Sequence, residues 1–312
     1  MSLITPKNQV ISPTKLHEKY IVPPFSVINS HQTYVKNRFA FWENIGLCAE
    51  DGRAEHLAYD NRRMNKRRKK HINGTSVFNP VLCEVLYKWF TIPNSKVLDP
   101  FAGGVVRGAM ASILGHSYVG YDISKEQIES NQRIFDSIKE RYQIEDRTTW
   151  INDSSINIPM PWTDDMSVKS QYDFVITCPP YYNLEKYTDD PQDLSNQTSY
   201  YDFLKLYREI LVRSALNLKE DSFFAITVSE IRDKKTTEYL GFVPDTIGIL
   251  MRDCMLRYYN EIILYNDTGN LAITSGDYLD LARKVGRQHQ NVLIFYKGNP
   301  KNIRDKFGEF KR

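Results

Sequence analysis

Tyr172-Asp173-Phe174-Val175-Ile176-Thr177-Cys178-Pro179-Pro180-Tyr181 is an apolar run that stops on two consecutive prolines. Neither proline has an N–H to give to a sheet ladder and each fixes its own φ, so a strand over 172–177 must end there. A buried strand that halts on a rigid turn places the Pro179 carbonyl and the Tyr181 ring at the carboxyl edge of a sheet. That edge is where open α/β folds keep their ligands. A second such edge lies upstream, at Val97-Leu98-Asp99-Pro100-Phe101-Ala102-Gly103-Gly104. The two together predict a cofactor turn facing a substrate turn.

Outward from these turns the chain alternates β and α. Val81, Leu82, Val85, Leu86 and Trp89 recur at helical spacing and predict a helix over 78–90. A strand over 96–99 precedes a helix over 105–114 that Gly115 closes, and a strand follows over 117–122. Ser124 caps a helix reaching Arg141. Strands over 148–151 and 172–177, a helix over 199–218, and strands over 223–228, 261–265 and 292–296 complete the pattern. Strands separated by helices imply a mainly parallel, doubly wound α/β sheet with right-handed crossovers. The stretches 182–198 and 266–289 read as long irregular loops.

The 312 residues, 41% hydrophobic and 25% charged, suit one large α/β domain with an extension. No apolar run approaches a membrane span and the N-terminus has no signal-peptide core, so no membrane partner is expected. Cys48, Cys83, Cys178 and Cys254 lie far apart without metal-ligand spacing, which reads as reduced thiols and no metal. A net charge of +3 says little, but its distribution says more. Between 61 and 70 stand Arg62, Arg63, Lys66, Arg67, Arg68, Lys69 and Lys70. Such a run is either a solvated linker or a phosphate-neutralising contact for nucleic acid.

The turn Asp99–Gly104 lacks both the G-x-G-x-x-G pattern and the Gly-Lys-Ser/Thr of a phosphate loop. Its glycines allow a ligand close to the backbone. Asp122 ends the next strand, at the spacing where an acid accepts hydrogen bonds from ribose hydroxyls. Asp153 follows the third strand, where it could reach an adenine amino group. Each acid alone reads as a turn or helix cap. Their order around a glycine turn fits a nucleoside cofactor with a positive centre and no phosphates, a description met by S-adenosylmethionine.

Asp99-Pro100-Phe101-Ala102-Gly103-Gly104 resembles the cofactor motif of DNA amino-methyltransferases, and Cys178-Pro179-Pro180-Tyr181 is similar to their catalytic Ser/Asp/Asn-Pro-Pro-Tyr turn. Gly74-Thr75-Ser76-Val77-Phe78-Asn79-Pro80 looks like their upstream contact to the methionine end of the cofactor, and the arm around 19–26 resembles the leader of phage and prophage methylases. The resemblance implies a class I methyltransferase fold, a seven-stranded mixed sheet ending in an antiparallel hairpin. It implies a methyltransferase domain over 72–300, an N-terminal arm and basic linker over 1–71, and a tail over 301–312. Carried over, cofactor contacts fall on Thr75, Ser76, Phe78, Asp99, Pro100, Phe101, Ala102, Gly103, Gly104, Asp122, Ile123 and Asp153. It further implies double-stranded DNA as partner, a restriction-modification setting, and the cytoplasm of a bacterial or phage-infected cell; a homodimer stays open. The motif order leaves no room for a recognition domain between the turns, so target recognition is expected from the N-terminal arm, the basic run, or the loops after Tyr181 and Asp267. Tyr182 is a candidate DNA contact, and Arg287 before the last strand reads as either a DNA-backbone contact or part of a solvated hairpin.

An aromatic amine is a poor nucleophile, because its lone pair is delocalised into the ring. Accepting both amino hydrogens rehybridises the nitrogen and aligns it with the methyl donor. In the resembled family the first side chain of the turn and the first proline carbonyl accept those hydrogens, and the tyrosine stacks on a base flipped from the duplex. These roles fall to Cys178, Pro179 and Tyr181, with Pro180 stiffening the turn. Cys178 departs from the pattern. It reads as a Ser-like acceptor, leaning towards cytosine N4 over adenine N6, or as a spacer that leaves the work to Pro179. A covalent cysteine nucleophile for carbon-5 methylation belongs to enzymes with the order Pro-Cys, reversed here. Asp189, Asp190 and Asp193 read as a solvated acidic lid, and Tyr182 and Asn183 either line the base pocket or pack. RNA or protein-glutamine methylation would use a similar turn; a silent DNA-binding relative would have no use for Asp99, Gly103, Asp122 and Tyr181 together.

Overall fold

A computed structural model describes residues 15–48, 77–161, 171–182, 188, 190–266 and 271–310, apart from the side chain of residue 272. The elements run α1 (Leu16–Tyr20), β1 (Val27–Asn29), α2 (Thr33–Ile45), α3 (Pro80–Phe90), β2 (Lys96–Asp99), α4 (Val106–Ile113), β3 (Ser117–Asp122), α5 (Lys125–Tyr142) and β4 (Thr148–Asn152). They continue with β5 (Tyr172–Thr177), α6 (Tyr200–Asn217), β6 (Leu218–Val228), α7 (Phe242–Gly248), β7 (Arg257–Tyr265), α8 (Leu271–Ala282), β8 (His289–Lys297) and α9 (Ile303–Phe307).

The strands form one sheet in the order β1-β7-β8-β6-β5-β2-β3-β4. The pairs from β4 across to β6 are parallel, and β8 runs antiparallel to both β6 and β7. This is a doubly wound sheet with a terminal antiparallel pair, the arrangement that the resemblance to class I methyltransferases implies. It has eight strands among the described residues where seven were expected. The extra one, β1, adds parallel to the edge of β7 with Val27 opposite Ile263.

Alternation along the central strands divides the interior into two layers. Val97, Phe174, Ile176, Phe223 and Ala225 face one side, under α2, α3, α4 and α5. Leu98, Val175, Phe224 and Ile226 face the other, under α6 and α7. Parallel strands covered on both faces read as near-continuous apolar runs, as Val97-Leu98, Phe174-Val175-Ile176 and Phe223-Phe224-Ala225-Ile226 do. Local caps fix where the helices begin. The Asn79 side chain accepts from the amides of Val81 and Leu82 ahead of Pro80. Ser124 caps α5 through the Gln127 amide and Ser199 caps α6 through the Asp202 amide. Gly115, with φ of +81°, reverses the chain after α4 in a conformation that favours glycine.

Of the expected arm, residues 15–48 pack against α3. Glu84, 2% exposed, accepts from Arg38 Nε at 2.7 Å and Trp42 Nε1 at 2.8 Å. The Trp89 indole donates to the Tyr20 carbonyl at 2.9 Å. The expectation of an irregular 266–289 is corrected by α8. No described helix is long and apolar enough to cross a membrane, and no disulfide joins the four cysteines.

Candidate active site

The sheet order reverses between β2 and β5, so the chain leaves β2 towards β3 on one side and β5 towards β6 on the other. Ligands of open α/β sheets bind at such a switch point, outside the carboxyl ends of the strands. Asp99 ends β2, and Cys178 follows the end of β5 on the adjacent strand. The cofactor turn and the Pro-Pro turn are neighbours there.

One carboxylate ties them together. Asp99 is fully buried. Its Oδ1 accepts from Thr177 Oγ1 at 2.8 Å and from the Phe101 amide at 3.1 Å. Its Oδ2 accepts from Arg107 Nε at 2.5 Å and from the Tyr118 hydroxyl at 2.9 Å. Four donors saturate the carboxylate, and the residue before Cys178 is one of them. Arg107, 4% exposed on α4, also donates to the Phe101 and Ala102 carbonyls and lies 4.6 Å from the Phe78 ring centre. Burial, the largest single influence, works against its charge, but Asp99, Tyr118 and Cys178 together outweigh it and raise its pKa. The remaining backbone of the turn is held as firmly. Ser155 donates to the Pro100 carbonyl, the Ala102 amide to the Tyr121 carbonyl at 2.8 Å, and Asn131 Nδ2 to the Gly103 carbonyl at 2.6 Å. Gly103 adopts φ of +49°, which the chain reverses through with little strain only as glycine.

Asp122, at the tip of β3, accepts from the Gly103 amide at 2.8 Å and the Ser124 amide at 2.9 Å. Burial pushes its carboxyl up to about 6, against those two amides, with Asp99 and Asp193 adding repulsion. Each oxygen keeps a lone pair beyond its amide bond. Asn152 Nδ2 donates to the Ile123 carbonyl at 3.1 Å, and Asp153 Oδ1 accepts from the Ser154 amide and Asn157 Nδ2, each at 2.7 Å.

The Pro-Pro turn is held by rings instead. Pro179 is buried, and Cys178, Pro180, Tyr181 and Tyr182 are half-buried. The Tyr181 ring meets Phe242 edge-on at 6.1 Å. Tyr182 packs on Tyr200 and Phe203, each at 5.6 Å, and Phe101 of the cofactor turn stacks on Tyr207 at 6.3 Å. Tyr207 sits fully buried with its hydroxyl 3.1 Å from Thr246 Oγ1. Cys178 lies close enough to Arg107 and Tyr207 to act on the charge of both.

Residues 14–133 match the family model N6_N4_Mtase, described as DNA methylase. This match supports the DNA N4/N6 amino-methyltransferase family. The matched stretch carries the cofactor turn and ends before the Pro-Pro turn. No curated protein matches. Among solved structures the chain is similar to TrmN from Thermus thermophilus, with 14% identity, 70% of this chain and 49% of that one covered, and a TM-score of 0.44. It is also similar to a TehB-like methyltransferase from Corynebacterium glutamicum, with 13% identity, 84% and 97% covered, and a TM-score of 0.41. The magnesium protoporphyrin IX methyltransferase of Synechocystis PCC 6803, solved with bound SAH, shows 12% identity, 66% and 75% covered, and a TM-score of 0.41. The chain spans about half the length of TrmN, and likenesses this distant carry no argument about activity.

The match to the DNA methylase model supports S-adenosylmethionine as cofactor, and the donor set fits it. The buried Arg107 guanidinium is paired with Asp99 and donates to two carbonyls, so what this turn offers a ligand is the Asp122 carboxylate, suited to a ribose and not to a pyrophosphate. Thr75, Ser76, the basic run from Arg62 to Lys70, Asn183 and Asp189 lie outside the described residues. Phe78 stands against Arg107 at the turn. Asp99 was expected to touch the cofactor, but its four internal donors leave it no lone pair to offer. Arg287 has partners within its own hairpin. It is half-buried, donating from Nε to the His289 carbonyl at 3.2 Å and from its second nitrogen to Asn291 Oδ1. The lid reading of Asp193 is corrected as well. It is 3% exposed and accepts from the amides of Thr188 and Ser195, each at 2.8 Å. Arg107, Tyr118, Thr177 and Asn131 were not anticipated. The signal for Arg107 was its setting, a cation among Val105, Val106, Gly108, Ala109 and Met110.

Proposed function

We propose that the chain transfers a methyl group to the exocyclic amino group, adenine N6 or cytosine N4, of a base flipped out of double-stranded DNA. One observation supports this above the rest: a single saturated carboxylate, Asp99, couples the cofactor turn to the residue preceding Cys178-Pro179-Pro180-Tyr181. When bound, S-adenosylmethionine supplies an electrophilic methyl group on a sulfonium. Asp122 accepts from the ribose hydroxyls with the lone pairs its two amides leave, and Asp153 from the adenine amino group. Asp99 and Arg107 position the turn without touching a ligand.

Cys178 Sγ and the Pro179 carbonyl accept the two hydrogens of the target amine and localise its lone pair. Tyr181, braced edge-on by Phe242, offers its face to the flipped base, and the surrounding rings keep water from the reacting nitrogen. Tyr182 packs beneath this wall. The basic run around Arg62, Arg63, Lys66, Arg67, Arg68, Lys69 and Lys70 supplies salt-dependent affinity for the duplex. The reading divides the chain as an arm and linker over 1–71, a methyltransferase domain over 72–300 and a tail over 301–312.

The test is transfer of labelled methyl from S-adenosylmethionine to unmethylated duplex DNA, total RNA and a protein extract in parallel. Label in the duplex is expected. Label confined to RNA or protein would sink the DNA assignment.

A further inference from the structure

Where β6 ends, its register sets Ile226 beside Thr177, so the chain leaves the sheet at the same edge as the Pro-Pro turn and one strand away. It then forms a tight hairpin over 231–240. The Leu240 amide donates to the Ile231 carbonyl at 2.9 Å and the Asp233 amide to the Glu238 carbonyl at 2.9 Å. Asp233 Oδ1 closes the tip by accepting the amides of Lys235 and Thr236, each at 2.7 Å. Arg232 bridges to Tyr239, lies 3.9 Å from that ring centre and donates to the Thr237 carbonyl at 2.9 Å.

The hairpin is anchored beside the Pro-Pro turn. Ile231 and Phe242 are buried at its base, and Glu230 accepts the amides of Phe242 and Val243 at 3.2 and 3.1 Å. Phe242 is the ring that braces Tyr181. Residues 234–239 are exposed and include Lys234, Lys235 and Tyr239, the last 45% exposed. A short arm this well hydrogen-bonded loses little entropy when its tip meets a charged surface. Asp233 Oδ1 is taken up by the turn, and the exposed tip carries Lys234 and Lys235 with one acid, Glu238.

We propose that the hairpin over 231–240 grips the sugar-phosphate backbone beside the flipped base, with Lys234 and Lys235 on phosphates and the Arg232-supported Tyr239 ring against the sugar edge. This rests on the amino-methylation of duplex DNA proposed above. Phosphate contacts fix the register of a duplex from which a base is extruded, and the arm stands one strand from the turn that receives it.

The experiment measures duplex affinity by fluorescence anisotropy over a series of salt concentrations, for the full chain and for Lys234→Ala/Lys235→Ala. The slope of log affinity against log salt is expected to fall by about 2 in the double variant, by a similar amount for every DNA sequence. Calorimetric affinity for S-adenosylmethionine and the melting temperature are expected to hold. Lys234→Arg/Lys235→Arg is expected to restore the slope, and Glu238→Gln to tighten binding. An unchanged slope in a chain that still binds and methylates DNA overturns the hairpin and spares the activity. A weakened affinity at unchanged slope, or a lowered melting temperature, assigns the lysines to the fold and overturns the proposal too. A wild-type chain that binds RNA but not DNA brings down both readings together.

Discussion

Around Asp99 the chain is fixed by directional bonds, with four donors on one carboxylate and a donor on each carbonyl from Pro100 to Gly103. Around Tyr181 it is fixed by rings: Phe242 against Tyr181, and Tyr200 and Phe203 against Tyr182. Thr177 is the polar link between the two. Hydrogen-bonded networks allow one arrangement, and each unmet partner in them is costly. Ring contacts are broad in angle and tolerate small displacements. The first construction suits a cofactor of constant shape, the second a base that arrives with its strand and leaves with it.

Removing Arg107 attacks the rigid side directly. Arg107→Met leaves the buried Asp99 carboxylate without its counter-charge and is expected to cost about 3–5 kcal/mol of stability in a denaturant titration. A loss below about 1 kcal/mol would mean that the ion pair is not what holds the turn. Tyr181→Ala attacks the other side. It removes a stacking face worth about 1–3 kcal/mol and is expected to lower kcat/KM for DNA by about 10- to 100-fold. Calorimetric affinity for S-adenosylmethionine should stay the same. Weakened cofactor binding in this variant would show that the two turns do not divide the work.

Asp122 sharpens the division through pH. Its carboxyl is raised to about 6 from an ordinary value near 3.8. Protonation below that point removes acceptors that ribose hydroxyls need, and a bound ribose favours the ionised form. Cofactor affinity is therefore expected to be flat above about pH 7 and to decline as pH falls through 6. Asp122→Asn should bind more weakly at pH 8 and show no such decline. The smallest effect belongs to Cys178→Ser. Both side chains keep acceptor capacity, so kcat is expected to change by no more than about fivefold. Complete loss, together with a protein–DNA adduct in the wild type, would revive the covalent reading.

The central sheet was legible because its strands are buried on both faces. The strands expected over 96–99, 117–122 and 172–177 have those bounds in the structure, the first and last around short buried apolar runs and the middle one by its alternation. β6 begins at Leu218, ahead of the expected 223, because Lys219, Glu220 and Asp221 hide its first turns as polar sequence. β1, three residues long, is too short for any period to show. α8 escaped notice because Ile273, Tyr278 and Leu281 are exposed, so its apolar residues mark no buried face. At the site, motif spacing located both turns but not what holds them. Asp99 looked like a ligand contact because its saturating partners, Arg107 on the next helix, Tyr118 on β3 and Thr177 on β5, meet it only in three dimensions. An arginine in a helix reads as a solvent residue until its neighbours are seen to be buried.

The most direct test of the account is nucleoside mass spectrometry of duplex DNA incubated with the purified chain and S-adenosylmethionine. The account predicts N6-methyladenine or N4-methylcytosine above the no-enzyme control. The appearance of 5-methylcytosine, or of no methylated nucleoside at all, would contradict it.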